Sequence, residues 1–174
     1  METTQEAAIT RCLLLVYKEV FGLEMIIFIG IQAVGKSEFY KHQFCNTHIR
    51  INLDMLKTRN REKIFIEACI RANQPFVIDN TNPTVNDRKK YIDIAKTECF
   101  RVVGYFFESN VTEALARNAN RVGKEKVPAV AIKSTYAKLE IPTLEEGFDK
   151  LFNVRINPNR DFMVETYTYN GLNT

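Results

Sequence analysis

Short apolar runs alternate with segments of helical periodicity along most of this chain. The run Met25–Ile29 is almost continuously apolar, which is typical of a strand covered on both faces. Similar runs lie at Phe76–Ile78 and Arg101–Phe107, and weaker ones at His48–Asn52 and Leu151–Ile156. The alternation predicts an α/β fold with about five strands in a mainly parallel sheet, covered by helices on both faces.

Helical patterns fill the gaps between these runs. Within residues 62–73, apolar side chains recur at the spacing of one helix face, namely at Phe65, Ala68, Cys69 and Ala72. We expect that face to pack on the sheet. Capping-box spacings predict further helices at about 85–97 and 111–118, and another amphipathic pattern follows Pro128 and ends before Pro142.

The length of 174 residues fits one domain, and 45% hydrophobic residues supply enough material for one core. We expect a domain at 25–156, a helical extension at 1–24 and a tail without clear periodicity at 157–174. No apolar run approaches the roughly 20 residues of a membrane span, and no secretory signal opens the chain. These features predict a cytoplasmic protein, or a nuclear one in a eukaryote, without a membrane partner; the oligomeric state is not predicted.

A phosphate-binding pattern, GxxxxGK[ST], follows the first strong strand directly. Glycines let the backbone wrap closely, so that consecutive N–H groups and a helix N-terminus point at phosphate oxygens. The lysine would reach the β- and γ-phosphates of ATP, and the serine hydroxyl would bind Mg²⁺. The predicted ATP-binding residues are Gly30, Ile31, Gln32, Ala33, Val34, Gly35, Lys36 and Ser37.

Two acidic residues follow other predicted strands. Asp79 comes after Phe76–Ile78, where its carboxylate could hold Mg²⁺ together with Ser37; the alternative is a turn residue in the sequence DNTNP. Asp54 comes after the run ending at Leu53 and is the candidate general base for a hydroxyl acceptor. Its alternative role is a helix N-cap.

Charge is distributed unevenly, although the net charge is only +3. Residues 117–133 contain five basic side chains against one acidic one, which fits a lid over a triphosphate, with Arg117 and Arg121 as its arginines. Residues 50–63 contain five basic side chains against two acidic ones and surround Asp54. Residues 140–149 contain four acidic side chains and no basic one. Each basic cluster taken alone could be an ordinary solvated surface.

Several of these motifs resemble the kinase domain of polynucleotide 5′-kinases. The resemblance covers about 25–156, and the DNTNP and PTLEEGF strings are narrower signals than the phosphate loop. It is carried by Gly30–Ser37, Ile51–Asp54, Val77–Pro83, Arg117–Arg121 and Pro142–Phe148. The resemblance implies ATP-dependent phosphorylation of the 5′-hydroxyl end of DNA or RNA. No DxDxT phosphatase motif is present in the sequence, so we expect a kinase without a fused phosphatase.

The resemblance also implies roles for individual residues. Lys36 and Ser37 would bind the phosphates and Mg²⁺, and Asp54 would activate the 5′-hydroxyl. Arg121 would stabilise charge on the γ-phosphoryl group. Lys57 and Asn80 are assigned to the acceptor. Where the family usually has arginine before the catalytic aspartate, this chain has Leu53.

Two other functions remain open at this point. The same loop, base and lid arginine serve P-loop kinases of small molecules or of tRNA-linked acceptors. An ATP-binding switch or adaptor without transfer activity is the second alternative, and the presence of both Asp54 and Arg121 argues against it.

Overall fold

The computed structural model describes residues 22–157, 159 and 161–167. Residues 1–21 of the helical extension predicted at 1–24 therefore lie outside the described residues. The last residue of that predicted extension, Glu24, is the first residue of strand β1. The part of the predicted tail from residue 168 onward lies outside them as well. Within the described part, no helix is long and apolar enough to cross a membrane.

One sheet of six strands organises the described residues, in the order β2-β3-β1-β4-β5-β6. The first five strands run parallel, and β6 pairs antiparallel with β5. The strands are β1 (Glu24–Ile29), β2 (Ile49–Ile51), β3 (Phe76–Ile78), β4 (Arg101–Phe107), β5 (Lys150–Ile156) and β6 (Phe162–Thr166). The predicted α/β class is confirmed, and the additional strand lies in the predicted tail.

Helices connect the strands on both faces of this sheet. The α-helices are α1 (Lys36–Gln43), α2 (Leu53–Leu56), α3 (Arg59–Arg71), α4 (Val85–Thr97), α5 (Val111–Ala119) and α6 (Ala129–Ala137). In the described part of the chain, two 3₁₀ turns lie at Gly123–Glu125 and Leu144–Glu146. The start of α4 follows its sequence signal closely, because Thr84 and Asp87 form the complete capping box that their spacing predicts.

The core lies on the two faces of β1, which is buried almost throughout. Met25, Ile27 and Ile29 pack in one cluster with residues of α3 and α4. Ile26 and Phe28 point the other way, into a cluster with residues of α1, α5 and α6. Alternate side chains of a strand point to opposite faces, so this near-continuous apolar run reflects burial on both sides.

The predicted packing face of α3 is wrong at three of its four residues. Phe65 is 45% exposed, and Ala68 and Ala72 are exposed as well. The buried residues are Glu62, Ile66 and Cys69, of which only Cys69 belongs to the predicted face. The apolar pattern selected the wrong face because the true face includes a carboxylate, which is buried only because other side chains hydrogen-bond to it.

The carboxyl ends of β1, β2 and β3 meet at one edge, since these strands are parallel neighbours. The phosphate loop follows β1, α2 follows β2, and the DNTNP segment follows β3. In open α/β sheets, ligands bind in crevices at this edge. The fold therefore brings together three of the segments in which the sequence analysis placed functional residues.

Candidate active site

A cavity of about 680 Å³ opens at this edge of the sheet. It brings together most of the residues that the sequence analysis assigned to ATP, Mg²⁺ and the acceptor. The predicted residues on its wall are Gln32, Ala33, Gly35, Lys36, Ser37, Asp54, Asp79, Asn80 and Arg121. Gly30, Ile31 and Val34 are buried in the phosphate loop itself and are absent from the cavity wall.

Glycine is required at the end of the phosphate loop. Gly35 has φ +95° in the left-handed region, and a Cβ added there would lie 2.7 Å from Cδ1 of Ile156. It also precedes α1 directly, so the loop leads into a helix N-terminus. The predicted strand, loop and helix arrangement is present, and it exposes the backbone dipoles that favour phosphate.

Lys36 lies inside this loop with only 9% of its surface exposed. Its ammonium donates to the carbonyl oxygens of Gly30 at 2.8 Å and Ile31 at 2.5 Å. Burial, helped by the nearby positive charge of Arg121, lowers the pKa of Lys36 to about 8, although the carboxylates of Asp79 and Asp54 oppose the shift. The lysine is therefore held among the other predicted site residues, and its pKa lies close to neutral pH.

Ser37 and Asp79, the predicted metal ligands, face each other. The Ser37 hydroxyl donates to Asp79 Oδ2 at 3.4 Å, and the Asp79 side chain is 2% exposed. Arg50 of β2 binds both: Nε donates to Asp79 Oδ2 at 2.7 Å, and Nη2 donates to the Ser37 hydroxyl at 2.7 Å. The guanidinium thus supplies positive charge between the two oxygen groups.

A hydroxyl and a carboxylate are hard oxygen ligands, which suit Mg²⁺ when phosphates and water complete its shell. Within the described residues, no group of three or more His, Cys, Asp or Glu side chains could hold a metal ion. Ser37 and Asp79 therefore fit a Mg²⁺ that arrives with nucleotide phosphates better than a site built from protein ligands alone.

Asp54 is the second residue of the short helix α2, and its side chain is exposed to the cavity. It is not the N-cap. That position belongs to Asn52, whose side-chain oxygen accepts from the backbone N–H of Met55 at 3.2 Å. The Asn52 amide also donates to the carbonyl oxygen of Asp79, which ties α2 to the end of β3. Asp54 is thus free of the capping role and available to a substrate.

The DNTNP and PTLEEGF segments are joined by Arg88, which is completely buried. Its guanidinium donates to both carboxylate oxygens of Glu146, at 2.6 and 2.8 Å. It also donates to the carbonyl oxygens of Asn82 and Pro83, each at 3.2 Å. Arg88 therefore joins the second segment to Asn82 and Pro83, which lie on the cavity wall.

Of the predicted lid and acceptor residues, some lie on the cavity wall and others do not. Arg121 lines the cavity, and its Nη1 donates to the carbonyl oxygen of Glu125 at 3.4 Å. Arg117 is absent from the cavity wall and binds Glu113 and the carbonyl oxygen of Ala33. Lys57 is exposed, also absent from the wall, and donates to the carbonyl oxygen of Asp54.

Sequence reasoning missed Arg50, Asn52, Glu62 and Arg88 as site or supporting residues. The position of Arg50 could have been read from the sequence. It lies between two isoleucines in β2, and alternate side chains of a strand point to opposite faces, so Arg50 points away from them. The position of Glu62 was also indicated, because Glu62 is spaced to lie on the same helix face as the apolar residues Ile66 and Cys69. Their partners come from other strands and helices, which the spacing of residues along the chain does not identify.

Several known proteins are similar to this chain in sequence or in fold. A family model described as an AAA domain matches residues 57–142, which begin after the phosphate loop. The bifunctional polynucleotide phosphatase/kinase of Schizosaccharomyces pombe is 32% identical over 84% of this chain and 36% of the relative. A protein of Acanthamoeba polyphaga mimivirus, provisionally named as the same bifunctional enzyme, is 32% identical over 75% of this chain and 33% of that relative.

The chain spans about a third of the length of these two curated relatives. Among solved structures, a gluconokinase from Sinorhizobium meliloti 1021 superposes with a TM-score of 0.55 at 17% identity, covering 76% of this chain and 82% of that one. At this identity the likeness concerns the fold alone. The chain therefore shares its fold with this kinase, and over most of its length it is similar in sequence to the polynucleotide phosphatase/kinases that its motifs resemble.

Proposed function

We propose that this chain transfers the γ-phosphate of ATP to the 5′-hydroxyl end of a DNA or RNA strand, as a step that prepares broken ends for repair or ligation. The observation that carries the proposal is one cavity that contains Lys36, Ser37, Asp79, Asp54 and Arg121. The names of the two curated relatives support the choice of a polynucleotide acceptor.

The proposed reaction is an in-line transfer. The acceptor O–H bond breaks as its proton moves to the Asp54 carboxylate. A bond then forms from that oxygen to the γ-phosphorus, while the bond between the γ-phosphorus and the oxygen bridging to the β-phosphate breaks. ADP leaves, and the strand carries a 5′-phosphate.

The other residues hold and stabilise the phosphates in this proposal. The Lys36 ammonium exchanges its two loop carbonyl partners for β- and γ-phosphate oxygens. Arg121, on the cavity wall, faces charge that develops on the transferred group. Ser37 and Asp79 would hold Mg²⁺, which neutralises phosphate charge when bound.

An exposed general base fits a macromolecular acceptor. Asp54 is exposed on a short helix, and the basic side chains of Arg50 and Arg59 also reach the cavity wall. The backbone of a nucleic acid is a polyanion, to which such side chains bind. Because these features would also serve a smaller phosphorylated acceptor, the choice has to be tested directly.

The test uses the purified chain with ATP labelled in the γ-phosphate and Mg²⁺. Acceptors are single-stranded, nicked and blunt oligonucleotides of DNA and of RNA, each with a 5′-hydroxyl; oligonucleotides that already carry a 5′-phosphate are the matched controls. We expect label on the 5′-hydroxyl strands only. ATP binding without label on any strand would contradict the proposal, and a panel of small hydroxyl compounds would then identify the acceptor.

A further inference from the structure

Glu62 is a nearly buried carboxylate on α3 that no step of the proposed reaction uses. It is 4% exposed. Burying a charged group costs free energy unless hydrogen-bond donors surround it. Glu62 has three such donors: Nη1 of Arg59, Nδ2 of Asn80 and the hydroxyl of Tyr91, each at 2.8 Å.

These contacts fix the orientation of the Asn80 amide. An ionised carboxylate can only accept hydrogen bonds, so Asn80 must turn its NH₂ group toward Glu62. Its oxygen then faces the other way and accepts from the backbone N–H of Leu53 at 3.0 Å. The Tyr91 hydroxyl keeps its proton for Glu62, since burial raises its pKa.

The Leu53 N–H is the first of α2, the helix that carries Asp54. A helix of four residues is too short to be stable by itself in water, so its place depends on tertiary contacts. Two asparagines supply polar contacts from α2 to the end of β3: Asn52 donates to the Asp79 carbonyl oxygen, and Asn80 accepts from Leu53. A shift of about 1 Å in a reacting group can cost about 100-fold in rate.

We propose that Glu62 is a positioning residue, which fixes the amide of Asn80 and through it holds Asp54 in place on α2. The proposal rests on the proposed function in one respect, namely that Asp54 acts on the acceptor. It gives Asn80 a role besides the predicted contact with the acceptor, because both ends of its amide are bound to protein groups.

Reversing the direction of the hydrogen bond tests the proposal. Asn80→Asp places a second carboxylate against Glu62, and we expect the transfer rate at saturating ATP to fall about 100-fold. Glu62→Gln allows the Asn80 amide to turn, and a fall of about tenfold is expected. The double variant again places a donor opposite an acceptor with net charge unchanged, so the rate should recover at least about tenfold over Asn80→Asp alone.

A structural measurement separates this proposal from the proposed function. Amide hydrogen exchange, followed residue by residue, should become faster at Leu53 in both single variants and return in the double variant. Met55 serves as an internal reference, because its N–H is bound by Asn52 instead of Asn80. Glu67→Gln, an exposed carboxylate on the same helix, is the matched control and should change neither exchange nor rate.

Unchanged exchange at Leu53 in both single variants would overturn the proposal, as would a double variant no better than Asn80→Asp. If the unaltered chain phosphorylates no acceptor, the proposed function fails, and the exchange comparison alone decides the role of Glu62. Should Glu62→Gln fail to fold, Tyr91→Phe removes one donor to Glu62 while keeping the ring; it also removes the hydroxyl that accepts from Asn80 Nδ2 at 3.3 Å and from Arg59 Nη1 at 2.9 Å. It should make exchange at Leu53 faster by a smaller factor, and unchanged exchange there would contradict the proposal.

Discussion

The two sides of the cavity differ in how deeply their side chains are buried and in how many protein groups bind them. On the phosphate side, Lys36 and Asp79 are buried, and each is bound by other groups of the protein. On the acceptor side, Asp54 is exposed and Arg121 is partly exposed. We infer that substitutions on the phosphate side alter folding or ATP binding, whereas substitutions on the acceptor side alter transfer more than they alter folding or ATP binding.

The largest effect is expected for Asp54→Asn. It removes the proton acceptor from an exposed position, so the rate of transfer should fall about 1,000-fold, within the range that general bases contribute. ATP affinity and thermal stability should stay unchanged. Asp93→Asn, an exposed aspartate on α4, is the matched control. A loss of stability in Asp54→Asn would break the comparison, and an unchanged rate would remove Asp54 from the reaction.

Arg121→Ala should lower the rate about 100-fold by removing positive charge next to the transferred group. Its effect on ATP affinity should be smaller than its effect on turnover, which steady-state kinetics and equilibrium binding measure separately. Arg117→Ala serves as the comparison on the same segment, because Arg117 is absent from the cavity wall and its guanidinium is bound to Glu113 and to the carbonyl oxygen of Ala33. Equal losses in the two variants would contradict the assignment of Arg121 as the lid arginine.

Arg50→Met should lower the free energy of unfolding by about 2 kcal/mol, because it leaves the buried Asp79 without its cationic partner. The value lies below that of a fully buried pair, since Arg50 is partly exposed. Thermal or denaturant unfolding of the variant and of the unaltered chain, both without nucleotide, measures the difference. Arg155→Met breaks an exposed pair and should change stability by less than about 0.5 kcal/mol.

The pKa of Lys36, about 8, predicts that ATP binding weakens in alkaline solution. Above that pH the free protein has lost the proton that bound phosphate requires, so the apparent Kd should rise up to about tenfold per pH unit. In the same range the unfolded chain holds this proton and the folded chain does not, so Lys36 makes the folded state more stable as pH rises from about 8 toward 10.5. Isothermal titration from pH 7 to 9.5 measures the affinity; Lys36→Arg, whose charge persists, should show no such slope.

Much of the phosphate side could be predicted from sequence, because its signals are local. The loop Gly30–Ser37 specifies its strand, turn and helix within a few consecutive residues, and Asp79 follows a legible strand. The assignment of Asp54 to the cavity also succeeded, since it needed only the rule that parallel strands present their carboxyl ends together.

The supporting residues could not be predicted, because their meaning depends on partners that are distant in sequence. Arg50 and Asp79 are 29 residues apart, and Arg88 and Glu146 are 58 apart. Most of the predicted packing face of α3 was wrong for the same reason. A glutamate is expected at the surface, and the hydrogen bonds from Asn80 and Tyr91 that allow Glu62 to be buried are not visible in the local sequence. Lys57 and Arg117 follow family spacing, which gives chain position but does not give side-chain direction.

Strand β6 packs against the phosphate loop and the helix that follows it, and this contact is not part of the phosphate-loop motif. The Phe162 ring lies 5.0 Å from the ring of Phe39 on α1, and the space beside Gly35 is closed by Ile156 and Phe162. A fragment that ends at Ile156 would retain every motif of the family resemblance but would lose Phe162 and its contacts. The smallest fragment expected to fold with a competent nucleotide grip therefore extends through Thr166, ten residues past the end that the motifs suggest.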